Sequence, residues 1–157
     1  MRGKRTRERQ VLDDVSKAII NQLQQDGRRS YAAIGKVVGL SEAAVRQRVQ
    51  RLTDNGVMQV VAVTDPLELG FARQAMVGVR VTGAIEPVAD AIATLDEVVY
   101  VVVTAGAYDL LVEIVAESDE HLLEIISDQI RSISGVLSTE TFMYLNLRKQ
   151  TYSWGVR

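Results

Sequence analysis

The stretch from Ser41 to Arg51 holds the residues best suited to recognising another molecule: Arg46, Gln47, Arg48, Gln50 and Arg51, preceded by the small pair Ala43 and Ala44. Arginine can reach guanine or a phosphate, glutamine can pair bidentately with adenine, and alanines let a helix approach a surface closely. At about 100° per residue, Val45, Val49 and Leu52 share one side of such a helix, while Ala43, Arg46, Gln47, Gln50 and Arg51 occupy the other. A second group, Thr104, Ala105, Gly106, Ala107, Tyr108 and Asp109, forms a short loop between two apolar runs. This loop reads in two ways. Gly106 can supply a positive φ while Asp109 bonds the turn backbone, as in many hairpins. Alternatively, Asp109 and exposed strand-end amides form a small pocket for a charged metabolite. Catalytic and metal chemistry have little to work with, because the chain has no cysteine and one histidine, His121. That excludes thiolate metal sites and a cysteine nucleophile, and no nucleophile–base signature or cluster of metal ligands stands in their place. His121 lies near the start of a charged helix, where a solvated role is expected.

The elements that must position the first group follow from periodicity. From Asp13 the spacing of Val15, Ala18, Ile19, Gln22 and Leu23 predicts a helix with one buried stripe, stopped at Gly27. Ser30 is placed to cap a second, short helix reaching Val38, with Ala33, Ile34, Val37 and Val38 as its apolar side. After a turn at Gly39, Ser41 caps a third helix that Asn55-Gly56 ends. Two short helices joined at a glycine, the second with an arginine-rich outer face, make a helix-turn-helix whose second helix fits the major groove. Gly35, Gly39 and Val45 supply the small residue, turn and apolar plug such a motif needs. The following run, Val57 to Val63, has the composition of a strand suited to a wing.

After Asp65-Pro66 and a short Leu67 to Gly70 stretch, the pattern changes to strands. Ala75 to Val81 reads as strand, Glu86 to Leu95 as helix, Val98 to Ala105 and Asp109 to Ala116 as strands, Ser118 to Ser132 as helix, and Val136 to Leu147 as strand. The order βαββαβ predicts a ferredoxin-like α+β domain, a four-stranded antiparallel sheet with both helices on one face. Both alternating sets of side chains are apolar in Val98 to Val103, and nearly so from Leu110 to Val115. Two helices can cover only one face, so the other requires a second apolar surface, most simply another copy of the chain. Phe142 and Tyr144 read as sheet packing.

Charge divides the chain in the same place. Residues 1–64 carry twelve Lys/Arg against six Asp/Glu and residues 65–157 carry six against fourteen, so +6 is joined to −8 within a net charge of −2. A basic module on an acidic one implies that only the first half meets a polyanion such as double-stranded DNA. A length of 157 residues allows one large domain or two small ones, and 47% apolar with 24% charged residues excludes wholesale disorder. No apolar run approaches a membrane span, and Met1 to Gln10 has charges without an apolar core, so a cytoplasmic protein with no membrane partner is expected.

Taken in order, Leu12-Asp13-Asp14, Gln25-Asp26-Gly27-Arg28-Arg29-Ser30-Tyr31, Val38-Gly39-Leu40-Ser41, Val45, Arg48-Val49, Arg51-Leu52 and Asn55-Gly56-Val57 resemble the Lrp/AsnC family of transcription factors. The resemblance continues through Leu69-Gly70, Gly106-Ala107-Tyr108-Asp109-Leu110-Leu111 and Ser134-Gly135-Val136 with Thr139 and Thr141, covering the chain from Leu12 to about Lys149. It implies a transcription regulator that dimerises through its second domain, commonly assembles into rings of dimers such as an octamer, and responds to an amino acid or related small molecule. By position, Asp109 would hold the effector's amine, Gly106 and Ala107 would offer backbone groups, and Tyr108 and Thr104 would line the site with Ala105. Phe142, Met143 and Tyr144 match the part of the last strand that affects effector response. DNA would be met by Ser41, Ala43, Ala44, Arg46, Gln47, Arg48, Gln50 and Arg51.

The implied organisation is a flexible basic arm over 1–11, a winged helix-turn-helix over 12–64, a linker over 65–70, a sensing and oligomerisation domain over 71–149 and a tail over 150–157. No cofactor beyond the effector is implied. Glu42 stands where the family often has proline, Gly35 where it usually has alanine, and Leu110 where it often has an aromatic. Two other functions remain compatible with the chain: an effector-independent architectural DNA-binding protein, and a small dimeric enzyme on the same ferredoxin-like fold.

Overall fold

The computed structural model describes residues 12–151 together with Gly155 and Val156. The basic arm over 1–11 and the aromatic pair Tyr152 and Trp154 lie outside the described residues. The chain forms two compact units, one of residues up to Ala62 with those from Lys149 onward, the other Val63–Arg148.

The first unit is built from α1 (Asp14–Gln25), α2 (Tyr31–Val38) and α3 (Glu42–Asp54). Each starts at a polar cap that satisfies an orphan backbone donor. Asp13 accepts from Ser16 N at 2.8 Å, Ser30 Oγ from Ala33 N at 3.2 Å, and Ser41 Oγ from Ala44 N at 3.2 Å. Such caps each stabilise a helix by about 1 kcal/mol. Ile19, Leu23, Ile34, Val45 and Val49 interlock as the core, with Tyr31, Val38 and Leu40 packed against it. The apolar side of α2 is narrower than its composition predicts: Ile34 and Gly35 are buried, whereas Val37 is 63% exposed. An eight-residue helix wedged between two others buries only the stripe that faces them.

Between α2 and α3 the chain reverses at Gly39, whose φ of 73° is left-handed backbone that glycine adopts without steric cost. Gly35 serves the same turn differently. A Cβ there would lie 2.4 Å from the Leu40 carbonyl oxygen, so the bare backbone is what lets the turn fold against α2. Residues 57–63, expected as a wing strand, pair with no strand among the described residues, and Val57, Val60, Val61 and Val63 are exposed. A strand is defined by a partner ladder, and the described residues offer this run none.

In the second unit, a 3-10 turn at Pro66–Leu69 leads into β1 (Arg73–Val81), α4 (Ile85–Ile92), β2 (Val98–Val103), β3 (Leu110–Ala116), α5 (Asp119–Glu124) and β4 (Val136–Met143). The strands form one sheet in the order β2-β3-β1-β4, every pairing antiparallel. This is the expected ferredoxin-like arrangement. Ala75, Val77 and Val79 of β1 and Leu110, Val112 and Ile114 of β3 point to the side where α4 places Val88 and Ile92 and α5 with its continuation places Leu122, Ile125 and Ile130. The alternate positions, among them Gln74, Met76, Gly78 and Arg80 on β1, face the other way.

The helix expected over Ser118 to Ser132 changes character half-way. Beyond α5, residues Ile125–Ile130 form a π-helical segment, and Arg131 N donates to Ile126 O at 3.0 Å. Ile125 and Ile130 are both fully buried. An α-helix would set residues five apart about 140° around its axis, whereas the wider turn brings both onto the sheet. β2 and β4 end at Val103 and Met143, short of the expected Ala105 and Leu147. Among the described residues no helix is long and apolar enough to cross a membrane.

Candidate functional site

On α3 the expected division of faces is present. Val45, Val49 and Leu52 are buried, while Ser41, Ala43, Arg46, Gln47, Gln50 and Arg51 are exposed and Ala44 and Arg48 are half-buried. Three of the polar side chains are nevertheless committed to different partners. Arg46 Nη2 donates to Glu42 Oε1 at 2.7 Å, and its guanidinium carbon sits 5.3 Å from the centroid of the Tyr31 ring. Arg48 Nη1 donates to Asp13 Oδ2 at 2.6 Å and to Ser16 Oγ at 3.1 Å, tying α3 to the first turn of α1. Gln50 Nε2 donates to Asp54 Oδ1 at 2.8 Å. Hydrogen bonds from Ser16 and then from the Arg48 guanidinium hold the Asp13 carboxyl down at about 2. Arg46 and Gln47 thus stand in the leading turns of the exposed face, and Arg48 is a brace within the three-helix unit.

The loop from Thr104 to Asp109 is a hairpin connection anchored at both ends. Thr104 N donates to Asp109 O at 2.9 Å, and Thr104 Oγ1 to Tyr108 O at 2.5 Å. The Asp109 carbonyl closes the turn, but its carboxylate does not bond the turn backbone as expected and reaches across to β1, where Oδ2 accepts from Val81 N at 2.8 Å beside the bond from Asp109 N to Val79 O at 2.9 Å. Gly106 does not have the positive φ expected of it. The turn closes through the anchors at Thr104 and Asp109 without left-handed backbone at that position.

Tyr108 folds back over the sheet face that bears no helix. Its ring covers Gly78 so closely that a Cβ on that glycine would lie 2.7 Å from ring carbons. Phe142 meets the ring edge-on at 5.9 Å, the Arg80 guanidinium lies 5.7 Å from its centroid, and the phenol donates to Glu140. That hydrogen bond, followed by burial and the Glu140 charge, raises the Tyr108 pKa. At the other end of the same face Gln74 Nε2 donates to Glu113 Oε1 at 2.8 Å, and burial followed by the nearby Glu113 charge pushes the Tyr144 phenol up to about 12. Tyr108 and Phe142 therefore come together, while Tyr144 belongs to a separate cluster. Met143 pairs with Ala75 on β1, in register with the opposite face of the sheet. His121 is also less solvated than expected, its Nε2 lying 3.4 Å from Glu97 Oε1.

Residues 12–53 match the AsnC-type helix-turn-helix domain and residues 74–154 match the Lrp/AsnC ligand binding domain. The HTH-type transcriptional regulator FL11 of Pyrococcus furiosus is 36% identical over 145 residues, covering 91% of this chain and 95% of that protein. This chain belongs to the Lrp/AsnC family. It is a transcriptional regulator with a DNA-binding helix-turn-helix and a ligand-binding domain, in a family of regulators and not of enzymes. Among solved Lrp/AsnC folds, the leucine response regulatory protein of Mycobacterium tuberculosis superposes with a TM-score of 0.80 at 26% identity, covering 88% of this chain and 96% of that one. A transcriptional regulator of Neisseria meningitidis, crystallised as an L-Met complex, shares the fold with a TM-score of 0.78 at 24% identity, covering 91% and 96%.

Several residues of these clusters were not anticipated. Gly78, Arg80, Glu140 and Glu113 are separated by 28 residues or more from the loop or strand residues they serve. Only Gly78 carries a sequence signal: a lone glycine within a run of strand-forming residues marks a place where another group comes close.

Proposed function

We propose that this Lrp/AsnC protein is a sequence-specific DNA-binding regulator whose homo-oligomer responds to an amino acid or a closely related metabolite in the cytoplasm. The observation that carries the reading is the pairing, on one chain, of an exposed recognition helix with a sheet face left uncovered by its own helices. The exposed side of α3 supplies the polar residues for base edges, and the basic surplus of residues 1–64 supplies attraction to phosphates. A second copy on the uncovered face gives a dimer, and two-fold dimers assemble further into a ring such as an octamer.

For the effector, the reading draws on the hairpin and on the L-Met complex of the Neisseria relative. One oxygen of Asp109 is fixed by Val81 N, which orients the carboxylate, and the second is the acceptor for an ammonium group. Thr104 to Tyr108 form the adjoining wall, with Phe142 and Met143 at the end of β4 and Tyr144 just beyond it tuning response. Thermal melting against the twenty amino acids and close analogues tests this assignment, because a ligand of the folded state raises apparent stability. A selective upward shift that Asp109→Ala abolishes is expected. An identical shift in that variant would place the effector elsewhere, and no shift with any compound would favour an architectural DNA binder.

A further inference from the structure

We infer that Arg46 reads a guanine in the operator, and that Glu42 and Tyr31 are positioning residues that set this specificity. The inference rests on the sequence-specific DNA binding proposed above. Arg46 stands in the second turn of α3, where a recognition helix meets base edges. It is held by partners on its own helix and on α2: Glu42 Oε1 takes one guanidinium donor at 2.7 Å, and the guanidinium carbon lies over the Tyr31 ring, 5.3 Å from the centroid. An exposed ion pair between residues four apart adds little stability, so the consequence of this arrangement is orientation. Arginine has five donors, and one bond to Glu42 leaves a fork for the paired acceptors O6 and N7 of guanine.

The choice between base and phosphate follows from charge. A carboxylate beside the guanidinium repels a phosphate and opposes the counterion release that a phosphate contact would bring. A neutral base edge suffers no such repulsion, and the same carboxylate can accept from the N4 amino group of a cytosine. Arg48, by contrast, is occupied by Asp13 and Ser16, and Gln50 by Asp54. Replacing Glu42 should release Arg46 to the nearest phosphate, giving tighter but less discriminating binding.

The full-length protein is used to select duplexes from a randomised pool, and affinities for the selected operator and its single-base variants are measured across salt. Arg46→Ala should flatten the preference for guanine at one position in each half-site by about 5- to 150-fold, leaving preferences elsewhere intact. Glu42→Ala should lose the same preference while the salt slope steepens by about one phosphate contact. Tyr31→Leu should weaken the preference and Tyr31→Phe retain it. Thermal melting of each variant confirms folding, and Arg46→Lys gives a second, conservative test that should lose guanine selectivity. An unchanged base profile in folded Arg46 variants, or a uniform loss at every sequence, overturns the inference. Absence of any preference in the wild-type protein would instead defeat the sequence-specific reading beneath it.

Discussion

At Gly35 two effects of opposite sign meet. Alanine gains about 1 kcal/mol in helix propensity over glycine, but its Cβ would lie 2.4 Å from the Leu40 backbone oxygen, which cannot rotate away. Overpacking of this kind costs about 1–3 kcal/mol, so Gly35→Ala is expected to destabilise the protein despite the gain in helix propensity. Chemical denaturation of the variant measures the sign. Asp13 supplies a second test through pH. Its folded pKa of about 2 lies below the 3.8 of an ordinary aspartate, so the cap-and-brace contribution is fully present above 3.8 and is lost as pH falls through about 2. The melting-temperature gap between wild type and Asp13→Asn should narrow over that window, whereas a gap of constant size would remove Asp13 ionisation as its cause.

Between elements, the Tyr108 lid joins the β2–β3 hairpin to β1 and β4. Gly78→Ala adds a methyl 2.7 Å from the ring, so Tyr108 must leave its place over β1 and give up the phenol bond to Glu140. Since that bond is the first cause of the raised Tyr108 pKa, the phenol should ionise at lower pH in Gly78→Ala, and an alkaline spectrophotometric titration against wild type reads the change. An unaltered titration would mean that the ring is held without the glycine. The same element-scale contacts explain what the sequence could and could not disclose. Caps such as Ser30 and Ser41 act over three residues, and the alternation in β1 and β3 is local, so helices, strands and the ferredoxin-like order were legible. Asp13 with Arg48, Asp109 with Val81 and Gly78 with Tyr108 are brought together only by the tertiary fold. The π-helical segment was hidden because its isoleucines suit either helix type, and the turn is selected by the sheet both must face. The recognition face was visible as a set of residues, but not the division of its side chains into braces and readers.

For the whole molecule, the separation of charge assigns attraction to DNA to the basic residues 1–64, while the proposed assembly is assigned to the uncovered sheet face of the acidic second unit. Binding should weaken steeply as salt rises, and sedimentation at micromolar concentration should give a dimer or a larger closed oligomer; a strict monomer would contradict the proposed pairing through the uncovered sheet face. A small molecule can act on such a regulator only by preferring one assembly or orientation of its reading heads, since differential affinity alone shifts an equilibrium. The most direct test is therefore the affinity for the selected operator, measured with and without each of the twenty amino acids at fixed salt and protein concentration. At least one of them is expected to change that affinity by about 5- to 150-fold, and Asp109→Ala is expected to abolish the change while leaving ligand-free DNA binding intact. Tight operator binding that no member of the panel alters would rule out control by an amino acid.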